Sequence, residues 1–320
     1  MTEGSAIGPN AGSNLSELNS VLIVGTGAMA NLYGAALSAA GLQVAMLGTW
    51  SAGLQALRTR GIRLVDPDGS ERTISVKASS NPADFGQVRH ALVLVKSWQT
   101  ARAAGQLAAC LDPQGVALTL QNGYGNRETL AASLGAERVA LGVTTAGATL
   151  LEPGKVKPGG AGAITVENHP RIGPLAAGLR AAGFPVELTA HADGLVWSKL
   201  VINSAINPLT ALLRVPNGEL LERAAARSLM GELARETAAV ATAAGIELTF
   251  SDPAGAAEDV ARRTSGNHSS MYQDVLRGAP TEIDAICGAI DRIGQMRGAP
   301  TPLNRTMWSL ISALANHPPT

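Results

Sequence analysis

Lys199, Asn203 and Asn207 recur four residues apart within Trp197–Pro208, so they fall along one face of a helix. Leu195, Val196, Leu200, Val201, Ile202 and Ile206 surround them and make most of that helix apolar. One cation and two amides in such a setting carry a desolvation cost unless they face one another or a polar cleft. In a cleft, the row suits hydride chemistry. Hydride addition to a ketone leaves negative charge on oxygen, which an ammonium stabilises and protonates. The same row also fits a solvated stripe on a half-exposed helix, and spacing alone does not separate the two.

A second cluster lies near the start of the chain. Val21-Leu22-Ile23-Val24 runs directly into Gly25-Thr26-Gly27-Ala28-Met29-Ala30 and then a helical stretch. This is G-x-G-x-x-G/A in its required context of strand, tight turn and helix. Gly25 permits the turn, Gly27 lets backbone approach a pyrophosphate, and Ala30 is small enough for close helix–strand packing. The helix N-terminus then offers free N–H groups and a positive dipole end to phosphates. The competing reading is a turn used only for packing. An NAD site usually has an acid at the end of the second strand. Here that strand ends Leu47-Gly48-Thr49-Trp50-Ser51, with two hydroxyls and no acid, and the nearest arginines are Arg58 and Arg60. The missing acid favours NADP(H).

Lys96 and Asn122 each follow an apolar strand at its carboxyl end, where ligands bind in doubly wound sheets. Either alone reads equally well as a loop residue; the pair strengthens the functional reading. Glu282 precedes a helix with a core stripe of Ile283, Ile286, Ile290 and Ile293, and a first-turn acid favoured by the helix dipole explains it as well as chemistry does. The five histidines show no metal spacing and no obvious triad with a serine, so neither a metal enzyme nor a serine hydrolase is expected.

The elements that must position these groups follow from hydrophobic pattern. Apolar runs at 21–24, 43–47, 91–95, 116–120 and 138–143 alternate with helical stretches at 28–40, 51–60, 97–109 and 126–134. Such alternation predicts a parallel sheet covered on both faces. Ile62–Val65 and Thr73–Val76, joined across Asp66-Pro67-Asp68-Gly69, predict a hairpin inserted in that scheme. Residues 143–166 predict further antiparallel strands. After His191 the pattern is helical, over 195–213, 224–243, 253–263, 270–277 and 283–296. The expected organisation is a tail over 1–20, an α/β doubly wound Rossmann-type domain over 21–190, and an all-α domain over 191–320.

With 320 residues, 46% hydrophobic and 16% charged, the chain is too apolar for general disorder. Zero formal net charge and 3% aromatic residues give no pull toward nucleic acid or anionic membrane. Two distant cysteines, Cys110 and Cys287, make neither a disulfide framework nor a zinc site. The tail has neither the basic residues nor the apolar run of a signal peptide, and the polar and glycine positions in Val21–Leu42 argue against a membrane span. A cytoplasmic protein is expected.

Several blocks, in order, resemble the ketopantoate reductase (2-dehydropantoate 2-reductase) family. They are Val95-Lys96-Ser97-Trp98-Gln99, Gln121-Asn122-Gly123, Trp197-Ser198-Lys199-Leu200 and Asn207-Pro208-Leu209-Thr210-Ala211, followed by Pro216-Asn217-Gly218-Glu219-Leu220, Ser269 through Val275, and Thr281-Glu282-Ile283-Asp284. The similarity spans about Val21 to Asn304. It implies a Rossmann domain followed by a helical one, with the active site in the cleft between them, and reduction of ketopantoate to pantoate by NADPH in pantothenate biosynthesis. By resemblance, Lys199 is the general acid and Glu282 an acid near it and the nicotinamide ribose. Asn203, Asn207, Asn217 and Ser270 are substrate contacts, and Asn122 touches both substrate and nicotinamide. Lys96 and Ala148 contact the cofactor, with Gly25, Thr26, Gly27, Ala28, Met29, Ala30 and Thr49 completing its site.

The chain departs from the family in having Gly48-Thr49-Trp50 where members often carry an arginine, Ala30 for the third glycine, and an N-terminal extension. Two other readings stand beside this one: the same fold acting on a different branched 2-oxo acid, and a non-catalytic dinucleotide sensor. A sensor needs no proton donor, which counts against it. Oligomers, a homodimer among them, are common for such enzymes, but the sequence marks no interface.

Overall fold

Val21, Leu22, Ile23 and Val24 are each at most 1% exposed, although successive strand residues point to opposite faces. The first strand therefore has a core on both sides. Val21 and Ile23 pack with Tyr33 and Leu37, while Leu22 and Val24 pack with Leu107 and Leu130. The computed structural model describes residues 18–315. Contacts divide the chain into two compact units. The first holds residues up to Val95, Gln99–Gln121 and Arg127–Ala190; the second holds Lys96–Trp98, Asn122–Asn126 and the chain from His191 onward.

The first unit contains β1 (Ser20–Val24), β2 (Gln43–Leu47), β3 (Ile62–Val65), β4 (Glu71–Ile74), β5 (Lys77–Ser79), β6 (Val88–Val93), β7 (Leu111–Thr119), β8 (Val139–Thr144), β9 (Ala148–Glu152), β10 (Lys155–Pro158), β11 (Ile164–Glu167) and β12 (Val186–Thr189). Its helices are α1 (Ala28–Ala39), α2 (Ser51–Arg60), α3 (Thr100–Ala108), α4 (Asn126–Leu134) and α5 (Gly173–Ala181). The large sheet runs β12-β11-β8-β7-β6-β1-β2-β5. From β5 to β8 all pairs are parallel. This is the Rossmann order 3-2-1-4-5-6. β11 adds antiparallel to β8, and β12 pairs parallel with β11.

Two expectations need correction. The hairpin forms between α2 and β5, with Ile62 opposite Ile74 and Val65 opposite Glu71, but its second strand is Glu71–Ile74, two residues earlier than the expected Thr73–Val76. It belongs to a second sheet, β4-β3-β10-β9, which packs against α1. The strands after 143 are not all antiparallel either, because β10 pairs parallel with β3. Residues 1–17 of the expected tail lie outside the described residues. Leu18 is 2% exposed in the core, and Ser20 opens β1.

The second unit contains α6 (Ala192–Leu213), α7 (Glu219–Glu222), α8 (Ala224–Ala243), α9 (Pro253–Arg263), α10 (Ser270–Leu276), α11 (Ala289–Arg297) and α12 (Pro302–Ala315). α6 is its axis: Trp197, Val201, Ala205 and Leu209 join Met230, Leu233 and Val240 of α8 in one core. Arg214, at φ 54°, ends α6 in the left-handed region, and the Tyr272 hydroxyl donates to its carbonyl at 3.0 Å. The helix expected over 283–296 is regular only from Ala289. Asp284–Gly288 forms a π-helical turn, within which the Ala285 carbonyl accepts the Tyr124 N–H at 2.8 Å. Among the described residues no helix is long and apolar enough to cross a membrane.

Candidate active site

The glycine loop links β1 to α1 as its pattern requires. Gly25 has φ +134°, and a Cβ there would lie 3.0 Å from the Leu94 carbonyl oxygen, so only glycine fits. Its N–H donates to the Leu47 carbonyl at 2.7 Å, tying the loop to the end of β2. Gly27 has a different reason to be small. A Cβ there would meet no protein atom within 4 Å, so packing does not demand glycine. Gly27 caps α1 without a side-chain hydrogen bond, and the first turn carries no acid. An open approach to uncapped N–H groups fits the pyrophosphate of a dinucleotide.

Ala28 and Met29 are half-buried, Ala30 is buried, and Thr26 is 6% exposed. Thr49 is exposed just beyond β2, and Ala148, at the start of β9, borders the same apolar cluster as Ala28 and Met29. Arg58 Nε donates to the Ala78 carbonyl at 2.9 Å, which leaves the rest of its guanidinium to other partners. Asn31 was not singled out by sequence reasoning. It is wholly buried, and its Nδ2 donates to the carbonyls of Thr26 at 3.0 Å and Gly27 at 2.8 Å, fixing the loop from beneath. The signal for it was a polar residue inside an apolar helix, one turn past the loop.

The other candidates, Lys96, Asn122, Lys199, Asn203, Asn207, Asn217, Ser270 and Glu282, all fall in the second unit. Lys96 Nζ lies 2.5 Å from Asp274 Oδ2 and 3.5 Å from Glu282 Oε2. Glu282, 6% exposed, also accepts the Ser97 N–H at 2.9 Å. Burial works against the charge on Lys96, but Glu282 and Asp274 outweigh it and hold its pKa above the ordinary lysine value. Burial pushes the Asp274 carboxyl upward against the pull of Lys96. Asp274 is a group the sequence reading missed. At 2% exposure it also pairs with Arg277 at 2.9 Å, although an acid three residues before an arginine reads as helix surface. Its one legible signal was its position four residues after Ser270.

Lys199 retains some accessible surface, yet protein encloses it closely enough that burial lowers its pKa to about 8. The charge of Glu282 acts in the opposite direction. Glu282 thus influences both lysines. Asn203 is half-buried and Asn207 7% exposed on the same helix face, and neither side-chain amide hydrogen-bonds to another of the described residues. Asn217 is tied into a loop instead: its Nδ2 donates to Thr264 Oγ1 at 2.8 Å, while its buried Oδ1 has no partner. Ser270 is half-buried at the first position of α10, which Ser269 caps by accepting the Tyr272 N–H at 3.1 Å. Asn122 is half-buried, and its carbonyl accepts from Asn126 Nδ2 at 2.9 Å. Among the described residues no group of three or more His, Cys, Asp or Glu could hold a metal ion.

Chemically, the second unit offers a lysine whose pKa burial lowers to about 8, a carboxylate that stabilises its charged form, and amides along the same helix face. Two family models match the chain: "Ketopantoate reductase PanE/ApbA" over residues 21–171 and "Ketopantoate reductase PanE/ApbA C terminal" over 192–315. A 2-dehydropantoate 2-reductase of Halobacterium salinarum is 35% identical over 91% of this chain and 97% of its own length. The crystal structure of a PanE/ApbA family ketopantoate reductase from Ralstonia eutropha superposes with a TM-score of 0.86 at 33% identity, covering 93% of this chain and 98% of that one. A D-mandelate dehydrogenase solved with NADH and anilino(oxo)acetate superposes with a TM-score of 0.87 at 26% identity, with the same coverage.

Proposed function

Because the chain belongs to the ketopantoate reductase family of oxidoreductases, we propose that it reduces ketopantoate to pantoate with NADPH, Lys199 acting as general acid. The observation that carries this reading is the lysine itself. Its pKa of about 8 leaves it mostly protonated at neutral pH yet able to release a proton readily. The Gly25–Ala30 loop would hold the dinucleotide, which would supply a hydride to C2. Lys199 then transfers a proton from Nζ to the C2 oxygen; the new O–H bond forms as N–H breaks, and the neutral amine is reprotonated from solvent. Glu282 favours the ammonium before each turnover.

Asn203 and Asn207 offer amide groups along the Lys199 face, suited to the substrate's hydroxyl, and Ser270 offers a hydroxyl to its carboxylate. Asn122 and Asn217 complete the substrate contacts, and Lys96 sits beside Glu282 at the cofactor. The lack of an acid at Gly48–Ser51 supports NADPH over NADH, with Thr49 at the ribose and Ala148 near the nucleotide. The similarity to a mandelate dehydrogenase supports a second reading, in which the same residues reduce a different 2-oxo acid.

Steady-state assays of ketopantoate and a panel of 2-oxo acids, with NADPH against NADH, separate these readings by kcat/KM. Ketopantoate with NADPH is the expected best pair, and Lys199→Ala is expected to lose on the order of 10²–10⁴ in kcat. Wild-type turnover in Lys199→Ala refutes the assigned role.

A further inference from the structure

Trp50 lies in the β2–α2 connection, three residues beyond the last residue of β2, and is 40% exposed. An exposed tryptophan by itself needs no explanation. What sets this one apart is the glycine beneath it. Gly53 is buried in the first turn of α2, and a Cβ there would lie 2.3 Å from Trp50 Cε3, 2.9 Å from Cζ3 and 3.1 Å from Cδ2. The indole is therefore seated on the helix backbone. Glycine inside a helix is unfavourable relative to alanine, and here it makes room for the ring.

The connection that carries Trp50 also touches the glycine loop. Leu47 accepts the Gly25 N–H, and a Cβ on Gly48 would lie 2.7 Å from Thr26 Cγ2. No acid stands at residues 48–51 to hold a ribose, and Arg58 is engaged with the Ala78 carbonyl. Resting on the dinucleotide reading proposed above, we infer that Trp50 is the platform on which the adenine ring of the cofactor stacks. Stacking on an aromatic face is tolerant of the ribose substituent, because it engages the base and not the 2′ position. Adenosine-half affinity then comes from the indole for NADPH and NADH alike.

The test uses the full chain with four probes: NADPH, NADH, ADP-ribose, and reduced nicotinamide mononucleotide, which lacks adenine. Trp50→Ala is expected to raise the dissociation constants of the first three about tenfold and to leave the mononucleotide unchanged. Trp50→Phe, which keeps a ring over Gly53, is expected to recover most of the affinity while losing the quenching of indole emission that ADP-ribose causes in the wild type. A Trp50→Ala dissociation constant for ADP-ribose within twofold of wild type overturns the inference. So does an equal loss for the mononucleotide, which would mark a general disturbance of the fold. A wild-type chain that binds none of the probes would instead overturn the dinucleotide reading and this inference with it.

Discussion

Replacing Glu282 with glutamine tests the link between the carboxylate and the proposed acid. The charge of Glu282 raises the Lys199 pKa against burial, so removing it must lower that pKa from about 8. Glutamine keeps an acceptor for the Ser97 N–H, so the local chain path is preserved. Loss of an opposite charge that acts on a titrating group shifts its titration by about one unit. The sign is then fixed: a general acid works only when protonated, so reduction is full below the lysine pKa and fades as pH rises through it. In the wild type kcat/KM for reduction should fall above about pH 8. In Glu282→Gln the fall should begin about one unit lower, leaving the protonated fraction roughly eightfold smaller at about pH 8.5. Cofactor absorbance, followed from acid to alkaline pH with both enzymes, reads this directly. A limb that stays put in the variant, or moves upward, refutes the coupling.

Two further outcomes follow from the same geometry. Enclosing a charged lysine disfavours folding below its folded pKa of about 8, a cost that fades as pH rises toward the unfolded value of 10.5; Lys199→Met should therefore be more stable at neutral pH, by up to about 3 kcal/mol, while inactive, and chemical denaturation at pH 7 and pH 10 checks both the sign and its decline. The two loop glycines should respond differently: Gly25→Ala, strained at positive φ against the Leu94 carbonyl, should lower the melting temperature, whereas Gly27→Ala should melt like wild type yet bind the dinucleotide at least about tenfold more weakly in a cofactor titration.

The parts of the fold that were legible in the sequence are those with local signals. β1, β2, α2, α4, α8 and α9 carry uninterrupted periodicity or clear stops, and the structure places them within a residue of expectation. The pairing of β10 with β3 was not legible, because alternation records which face of a strand is buried and not which distant segment lies beside it. α5 escaped notice because Gly173, Pro174 and Gly178 break its helical pattern. Gly178 is explained only by tertiary packing, since a Cβ there would lie 2.2 Å from Leu18 Cδ2. The candidate site divides in the same way. The Lys199, Asn203 and Asn207 row follows from helical spacing alone, whereas the Lys96–Asp274 ion pair joins residues 178 positions apart and leaves no mark in either neighbourhood.

That ion pair bears on modularity. The helical unit is not a contiguous stretch of gene: Lys96–Trp98 and Asn122–Asn126 belong to it, although both precede the bulk of its sequence. A fragment begun at His191 would carry α6 to α12 yet leave Asp274 without Lys96 and Glu282 without the Ser97 N–H. Two buried carboxylates would have lost their nearest partners, a serious penalty in a dry interior. The helical half is therefore not a cassette that recombination can lift out and graft elsewhere, and its Lys96–Asp274–Glu282 cluster is inherited with the sheet-forming half.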